Sequence, residues 1–257
     1  MIESTFLAKG AEGPSFASIV GSGPNSTQLH YMRNDRVMRD GEVVVMDIGA
    51  SFEGYAADVT RTVPVNGRFT PEQRAVYQVV RDAQRAAEAA ARPGAPWAAL
   101  QAASDSVTAH GLARLGLIES ADAAFDAPWA DQCTTSARLC RQFALFIPHG
   151  LGHGIGLEVH DPAQYYLDDR TLREGDAFTI EPGIYVNPEV LRLLPDTPRN
   201  RAMVARIRSA IERHRHVGVR IEDDYAVTRT GVERLSRAPR EAAEIEAAMA
   251  RARPAVP

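Results

Sequence analysis

Residues 43–63 read VVVMDIGASFEGYAADVTRTV, and this stretch decides the architecture. The β-branched, apolar run Val43–Ile48 predicts a strand. A second strand is predicted over about Tyr55–Val63, after a short loop that contains Glu53-Gly54. The spacing of the two runs predicts an antiparallel hairpin.

Each strand of this hairpin carries an aspartate, Asp47 on the first and Asp58 on the second. A carboxylate in an apolar strand is costly unless its charge is compensated, and two that face the same side repel each other. Either a bound cation neutralises them or they cap nearby loops. Thr60 and Thr62 share the face of Asp58 by the strand period of two, so their hydroxyls are placed to orient that carboxylate.

The rest of the chain mixes helices and strands without strict βαβ alternation, which predicts the α+β class. The clearest helix starts at Pro71, with Thr70 as N-cap and Gln73 closing a capping box, and it ends at Pro93-Gly94. The other predicted elements are a short strand at Leu29–Tyr31, helices at about Pro96–His110 and Arg199–His214, strands near Ala177–Ile180, Gly183–Val186 and Val217–Val227, and a last helix opened by Pro239.

Composition sets bounds on partners and location. The formal net charge of -4 predicts neither nucleic-acid nor membrane binding. No run approaches the roughly 20 apolar residues of a membrane span, and the start Met1-Ile2-Glu3-Ser4 lacks the features of a signal peptide. We therefore expect a cytoplasmic protein, in which Cys133 and Cys140 are two thiols. Their spacing of seven allows a small disulfide loop if the protein is exported.

A second candidate site is the segment HGLGHGIGLEVHD at residues 149–161. It holds three histidines, His149, His153 and His160, interleaved with four glycines. Glycine permits tight turns and close approach of the backbone, which suits a segment that brings imidazoles to a ligand. Imidazole serves both as a metal ligand and as a proton shuttle.

Two further acids lie inside apolar strands, Glu181 in TIEPG and Glu222 in VRIEDD. Arg220 lies on the same strand face as Glu222, so its guanidinium can support a ligating carboxylate. A surface strand with a salt bridge is the alternative for either motif alone. The pattern does not choose between Glu222 and Asp224, which share that face.

Clustered carboxylates with histidine form a ligand set that suits manganese, cobalt or zinc. Four carboxylates and one neutral histidine carry four negative charges, which two divalent cations cancel. A water molecule between two such metals ionises near neutral pH and attacks a carbonyl carbon. We therefore predict two metals rather than one.

Taken in order, these motifs resemble the pita-bread metallopeptidases, the family of methionine aminopeptidases, proline dipeptidases and proline aminopeptidases. The resemblance runs from about Ser18 to Ala248. Its motifs are Leu29-His30-Tyr31, the Asp47/Asp58 pair, His149 to His153, Val159-His160-Asp161, Glu181-Pro182-Gly183 and Arg220 to Asp223. The flanking pieces Ile19–Gly23 and Arg61–Gly67 resemble the proline aminopeptidase branch in particular.

The resemblance implies a complete set of metal ligands: Asp47, Asp58, His153, Glu181 and Glu222. Asp47 is expected to chelate one metal and His153 with Glu181 the other, while Asp58 and Glu222 bridge both. Glu181 is also expected to take the proton of the bridging water. This choice favours Glu222 over Asp224.

The same resemblance implies roles around the substrate. His30 and His160 are expected to be catalytic residues that hold the substrate carbonyl and stabilise the tetrahedral oxyanion. His149 is expected to line the pocket for the proline side. Arg220 is expected to support the bridging carboxylates, beside Thr60.

The implied fold is a curved antiparallel sheet flanked by helices, in two pseudo-symmetric halves, with residues 1–257 as one catalytic domain that lacks the usual N-terminal domain. The implied activity is hydrolysis of the bond between an N-terminal residue and a following proline. A proline dipeptidase is the first alternative, and a non-catalytic binding module is the second. Two divalent ions are expected, with Mn2+ favoured over Co2+ or Zn2+. The expected partners are a proline-containing peptide and a second copy in a homodimer.

Overall fold

Antiparallel strands and helices follow one another irregularly in the computed structural model, which describes residues 1–161 and 171–252. The helices are α1 (Ile2–Ala8), α2 (Pro71–Ala90), α3 (Trp97–Arg114), α4 (Pro198–Arg213) and α5 (Ala242–Ala252). The strands are β1 (Gly13–Pro14), β2 (Ile19–Ser22), β3 (Val43–Ile48), β4 (Ala50–Phe52), β5 (Tyr55–Ala56), β6 (Val59–Pro64), β7 (Ala177–Ile180), β8 (Gly183–Val186), β9 (Val217–Arg220), β10 (Asp223–Val227) and β11 (Val232–Arg234). The mixture confirms the predicted α+β class.

The first half of the chain is built on the antiparallel sheet β2-β3-β6. β3 pairs with β6 in a register that sets Asp47 opposite Thr60, so the predicted pairing is confirmed. The predicted single strand Tyr55–Val63 is wrong in detail, because β5 ends at Ala56 and β6 begins at Val59. Asp58 lies in this interruption, where the backbone leaves the ladder.

The second half contains the ladders β8-β9 and β7-β10-β11. The predicted strand Val217–Val227 is divided into β9 and β10, and the interruption contains Glu222. A matching interruption at Glu181-Pro182 separates β7 from β8, where proline offers no N–H to a ladder. The two interruptions face each other, since Ile180 pairs with Asp223 and Gly183 pairs with Arg220.

Helix α2 covers the back of these strands. Its predicted capping box is present, with Thr70 accepting from the Gln73 backbone and the Gln73 side chain accepting from the Thr70 backbone. Its buried face includes Val76, Tyr77 and Val80, which belong to the main apolar core. The predicted helices near Arg199–His214 and Pro96–His110 correspond to α4 and α3, the latter longer than predicted by four residues at its end.

Two local predictions are wrong. Leu29–Tyr31 forms a turn rather than a strand. It follows a 3-10 helix at Gly23–Thr27, and the nearby Asn34 side chain bonds the Ser18 carbonyl, which holds the segment beside β2 instead of within a ladder. Cys133 and Cys140 are joined in a disulfide rather than present as thiols, because consecutive 3-10 turns bring their Cα atoms to 5.7 Å.

Among the described residues, no helix combines the length and the apolar character that crossing a bilayer requires.

Candidate metal centre

One cavity of about 290 Å³ collects the predicted site residues. The five predicted metal ligands all line it, together with the predicted substrate-binding histidines and the supporting arginine: Asp47, Asp58, His153, Glu181, Glu222, His30, His149, His160 and Arg220. Three of the ligands, Asp58, Glu181 and Glu222, lie at strand interruptions. There the chain turns a side chain into the cavity without having to keep a ladder bond.

The tightest group is formed by Asp58, His153 and Glu222, which offer ligand atoms within 4.8 Å of one another. His153 Nε2 lies 3.6 Å from Asp58 Oδ2, 3.6 Å from Glu181 Oε1 and 3.9 Å from Glu222 Oε1. One imidazole nitrogen therefore faces three carboxylates across a gap of the size that a metal ion fills.

The imidazole of His153 is set up as a neutral ligand. Its Nδ1 lies 3.0 Å from the Gly154 carbonyl oxygen, so Nδ1 carries the proton and Nε2 presents a lone pair to the cavity. Burial lowers the pKa of His153 to about 4. Gly152 lies directly against the Thr179 backbone, where any side chain would collide with the Thr179 carbonyl.

The acids of the site are held together in a buried setting. Burial, and then the charge of Asp47, raise the pKa of Asp58 to about 10. Burial raises the pKa of Glu222 well above its usual range, with Asp58 as the next cause. Burial raises the pKa of Glu181 to about 7, although Arg220 acts in the opposite direction. Such a group of acids ionises together only when cations are present.

Buried carboxylate oxygens without a hydrogen-bond partner show whether the cavity suits metal ions. Among the described residues, Asp47 Oδ1, Asp58 Oδ1 and Glu222 Oε1 are buried and have no hydrogen-bond partner. The second oxygens of two of these acids are occupied, since Thr60 Oγ1 donates to Glu222 Oε2 at 2.6 Å and Arg220 Nη2 donates to Asp47 Oδ2. Buried polar atoms are rarely left unpaired, so one free oxygen on each acid fits ligation of a cation.

Arg220 connects the acids to the surrounding strands. Its Nε donates to Thr60 Oγ1 at 3.1 Å and its Nη1 donates to the Tyr185 hydroxyl at 3.0 Å. The prediction that Thr60 orients Asp58 is wrong, because Thr60 bonds Glu222 instead. The period-two argument failed because Asp58 precedes the first residue of β6 and so does not share the alternation of that strand.

The structure distinguishes Glu222 from Asp224, a choice that the sequence pattern left open. Glu222 lines the cavity, whereas Asp224 does not. Asp224 Oδ2 instead accepts the backbone N–H of Asp58 at 3.2 Å, and burial raises the pKa of Asp224 to about 7. Asp224 thus holds the backbone of the predicted ligand Asp58 without itself lining the cavity.

The remaining histidines surround the cavity. The ring of His160 lies 4.1 Å from that of His153, measured between centroids. His149 Nδ1 lies 2.7 Å from the Gly150 carbonyl and its Nε2 lies 2.9 Å from the Tyr185 hydroxyl. Sequence reasoning missed Tyr185, whose only signal was a hydroxyl inside the otherwise apolar strand β8.

A pita-bread sheet with clustered acids and imidazoles in one cavity is the architecture of a divalent-metal site. The chain belongs to metallopeptidase family M24, whose family model matches residues 1–229. Membership implies divalent metal ions, in agreement with the free oxygens of the cavity.

Individual relatives also support membership of this family. The Xaa-Pro aminopeptidase of Escherichia coli is 36% identical over 254 residues, which are 98% of this chain and 51% of that protein. The human Xaa-Pro dipeptidase is 36% identical and matches 94% of this chain and 50% of its own length. Among solved structures, aminopeptidase PepP of Pseudomonas aeruginosa has a TM-score of 0.78 at 37% identity, covering 97% of this chain and 51% of that one. The chain spans about half the length of the relatives it matches.

Proposed function

We propose that this chain is the catalytic part of an exopeptidase that hydrolyses the bond between an N-terminal residue and a following proline. The observation that carries the proposal is the single cavity in which the ligand set and the three histidines meet. Names of relatives support the substrate class, since those matched at 36% identity are an Xaa-Pro aminopeptidase and an Xaa-Pro dipeptidase.

The residues that would hold two divalent ions are the five predicted ligands, all of which line the cavity. Asp47, Asp58, His153, Glu181 and Glu222 would hold these ions between them. Mn2+ is the favoured metal, with Co2+ or Zn2+ as substitutes. When bound, the ions supply positive charge that polarises a carbonyl and makes a water molecule acidic at neutral pH.

Glu181 is suited to move a proton. Its side chain is 18% exposed and its Oε1 lies 3.6 Å from His153 Nε2, so the carboxylate reaches the cavity. A general base must lie within hydrogen-bond reach of the proton that it accepts. Glu181 is therefore proposed to accept the proton of the attacking water and to deliver it to the amine that leaves.

His30 and His160 are proposed to bind the carbonyl oxygen of the scissile bond. Both side chains are exposed on the cavity wall, where they can donate to an oxygen that gains negative charge. His149 is proposed to contact the proline ring. Burial, followed by the charge of Arg220, lowers the pKa of His149 to about 3, so this imidazole presents a neutral surface to an apolar ring.

A proline dipeptidase is the second candidate, supported by the human relative. The two activities differ in whether residues after the proline are accepted. A non-catalytic binding module requires a site without metal, which the free oxygens do not favour. One catalytic domain over residues 1–257, a homodimer and a cytoplasmic location remain predictions; a Cys133–Cys140 disulfide is more typical of an oxidising compartment.

The test is a peptide panel with proline at the first, second or third position, assayed with Mn2+, Co2+ or Zn2+. We expect release of the N-terminal residue only from peptides with proline second. A dipeptide compared with a tripeptide separates dipeptidase from aminopeptidase. Asp58→Asn is expected to abolish cleavage, while the exposed Asp40→Asn serves as the matched control. Absence of cleavage with every metal contradicts the proposal.

A further inference from the structure

Gln84 lies in the middle of α2, fully buried, on the side of the helix that covers the strand interruptions. Its Nε2 donates to the carbonyl oxygens of Ile180 at 3.3 Å and Ile221 at 3.4 Å. These two residues directly precede Glu181 and Glu222, which are proposed metal ligands at two different strand interruptions. One side chain thus contacts the backbone of both glutamates.

The peptide group in front of each glutamate is held at both ends. The N–H of Glu181 donates to the Leu151 carbonyl at 2.8 Å, and the N–H of Glu222 donates to the Thr60 carbonyl at 3.1 Å. The carbonyl end of each peptide group bonds Gln84. Since the orientation of a peptide plane sets the direction of the next side chain, Gln84 is the common element that aims both carboxylates.

The orientation of the Gln84 amide is itself determined by its neighbours. Arg81 Nη1 donates to Gln84 Oε1 at 3.3 Å, and Arg81 is held in turn by Glu241 at 2.8 Å. Nε2 also donates to Asp223 Oδ2 at 2.9 Å, so its two hydrogens serve three acceptors and the two carbonyl groups share one of them. With the oxygen engaged by a cation and the nitrogen by a carboxylate, the amide has one consistent orientation.

We propose that Gln84 is a positioning residue for the metal centre, which fixes Glu181 and Glu222 together through the peptide groups that precede them. Its loss would leave two buried carbonyl groups to find other partners, and the peptide planes would rotate to find them. The consequence expected is weaker metal binding rather than simply a less stable fold, because groups that orient metal ligands commonly change metal affinity when removed. The inference depends on the proposed metal site.

The test compares Gln84→Met with Gln73→Met. Methionine keeps the length and volume of glutamine and removes its amide. Gln73 is the matched control, since it is also buried on α2 and its Nε2 also donates to a carbonyl, that of Gly41 at 2.8 Å. It lies eleven positions before Gln84, or about 16 Å along the helix.

Metal-depleted wild type and both variants are titrated with Mn2+ by calorimetry, and the thermal midpoint of each is measured in EDTA. Both variants are expected to have lower midpoints in EDTA. Gln84→Met is expected to bind Mn2+ about 10-fold more weakly than wild type, and Gln73→Met within about twofold. Equal loss of affinity in both variants, or binding by Gln84→Met within about twofold of wild type, overturns the inference.

If Gln84→Met does not fold, Gln84→Asn decides the question. It keeps a buried amide that is too short by one methylene to reach both carbonyl groups, so the same loss of Mn2+ affinity is expected, and wild-type affinity overturns the inference. Wild type that binds no Mn2+ overturns both this inference and the proposed function. Wild type and variant that bind equally overturn the inference alone.

Discussion

Replacing Asp58 with asparagine should change how the stability of the metal-free protein depends on pH. Asp58 is 5% exposed, and burial together with Asp47 raises its pKa to about 10. In the unfolded chain an aspartate has a pKa of about 3.9. Between about pH 7 and pH 9 the folded protein therefore keeps a proton on Asp58 that the unfolded chain has lost.

The sign and the size follow from that one proton. Because the folded state binds more protons, the free energy of unfolding falls as pH rises. The contribution of Asp58 is complete below about pH 4 and is lost as pH approaches 10. The slope is about 1.4 kcal/mol per pH unit, so about 3 kcal/mol is lost from pH 7 to pH 9. At roughly 2–4 °C per kcal/mol, the thermal midpoint falls by roughly 6–12 °C.

In this pH range the other buried groups either do not titrate or change the free energy of unfolding in the same direction as Asp58. Burial lowers the pKa of His149 to about 3 and of His153 to about 4. In the unfolded chain both have a pKa of about 6.5, so they are almost wholly neutral in both states above about pH 7.5. Glu222, whose pKa burial also raises, adds a slope of the same sign.

The assay is thermal unfolding followed by circular dichroism in EDTA, at steps from about pH 7 to pH 9. Wild type should lose stability across this range, and Asp58→Asn should lose about 1.4 kcal/mol less per pH unit. Asp40→Asn, at an exposed aspartate, should behave as wild type. Equal slopes for wild type and Asp58→Asn would show that Asp58 is ionised in the metal-free fold and would refute the reasoning.

Three further predictions concern contacts around the site and the fold. Thr60→Val removes the donor to Glu222 Oε2 and should weaken Mn2+ binding about 10-fold, measured by calorimetry. Arg61→Met removes the 2.6 Å ion pair of the fully buried Asp223, which keeps longer pairs with Arg234 and Arg240, and should lower the free energy of unfolding by about 1.5–3 kcal/mol, measured by urea denaturation. Cys133→Ser opens a disulfide of sequence separation 7 and should cost about 2 kcal/mol in the same measurement.

Each of these has a control in the chain. Thr62 lies on the same strand as Thr60, and its hydroxyl bonds only the Arg220 backbone. Mn2+ affinity should therefore change less with Thr62→Val than with Thr60→Val. Arg85→Met removes a half-exposed ion pair and should cost less than about 1 kcal/mol. Reduction of wild type should reproduce the loss seen with Cys133→Ser. Thr60→Val or Arg61→Met that only matches its control contradicts its prediction, and so does Cys133→Ser that differs from reduced wild type.

Local sequence signals predicted the elements that depend on local chemistry. The capping box at Thr70, the β-branched run of β3 and the apolar spacing of α4 each identify an element that the structure contains. The interruption at Glu181-Pro182 was predicted, but those at Asp58 and Glu222 were not, because an apolar run such as Val217–Val227 has the same pattern whether or not its backbone leaves the ladder at one residue. That residue, Glu222, carries the chemistry.

The site was predictable as a list of residues and not as a network. Unusual acids and histidines marked the residues that line the cavity. The groups that hold them do not stand out in sequence, since Gln84 is an ordinary helix residue and Tyr185 an ordinary strand residue. Their roles depend on contacts between segments about 40 to 140 residues apart, which periodicity cannot show.

The ligands come from both halves of the chain, and this has a consequence for the order of folding. Asp47 lies in β3 and Asp58 directly before β6, whereas Glu222 follows β9 and its N–H donates to the Thr60 carbonyl of β6. We therefore expect Glu222 to reach the cavity only when the two halves have met. Bringing such distant segments together is a slow step in folding. A complete coordination shell thus exists only after that step, so Mn2+ should slow unfolding while leaving the refolding rate nearly unchanged. Bound metal would then stabilise the folded protein without assisting its formation.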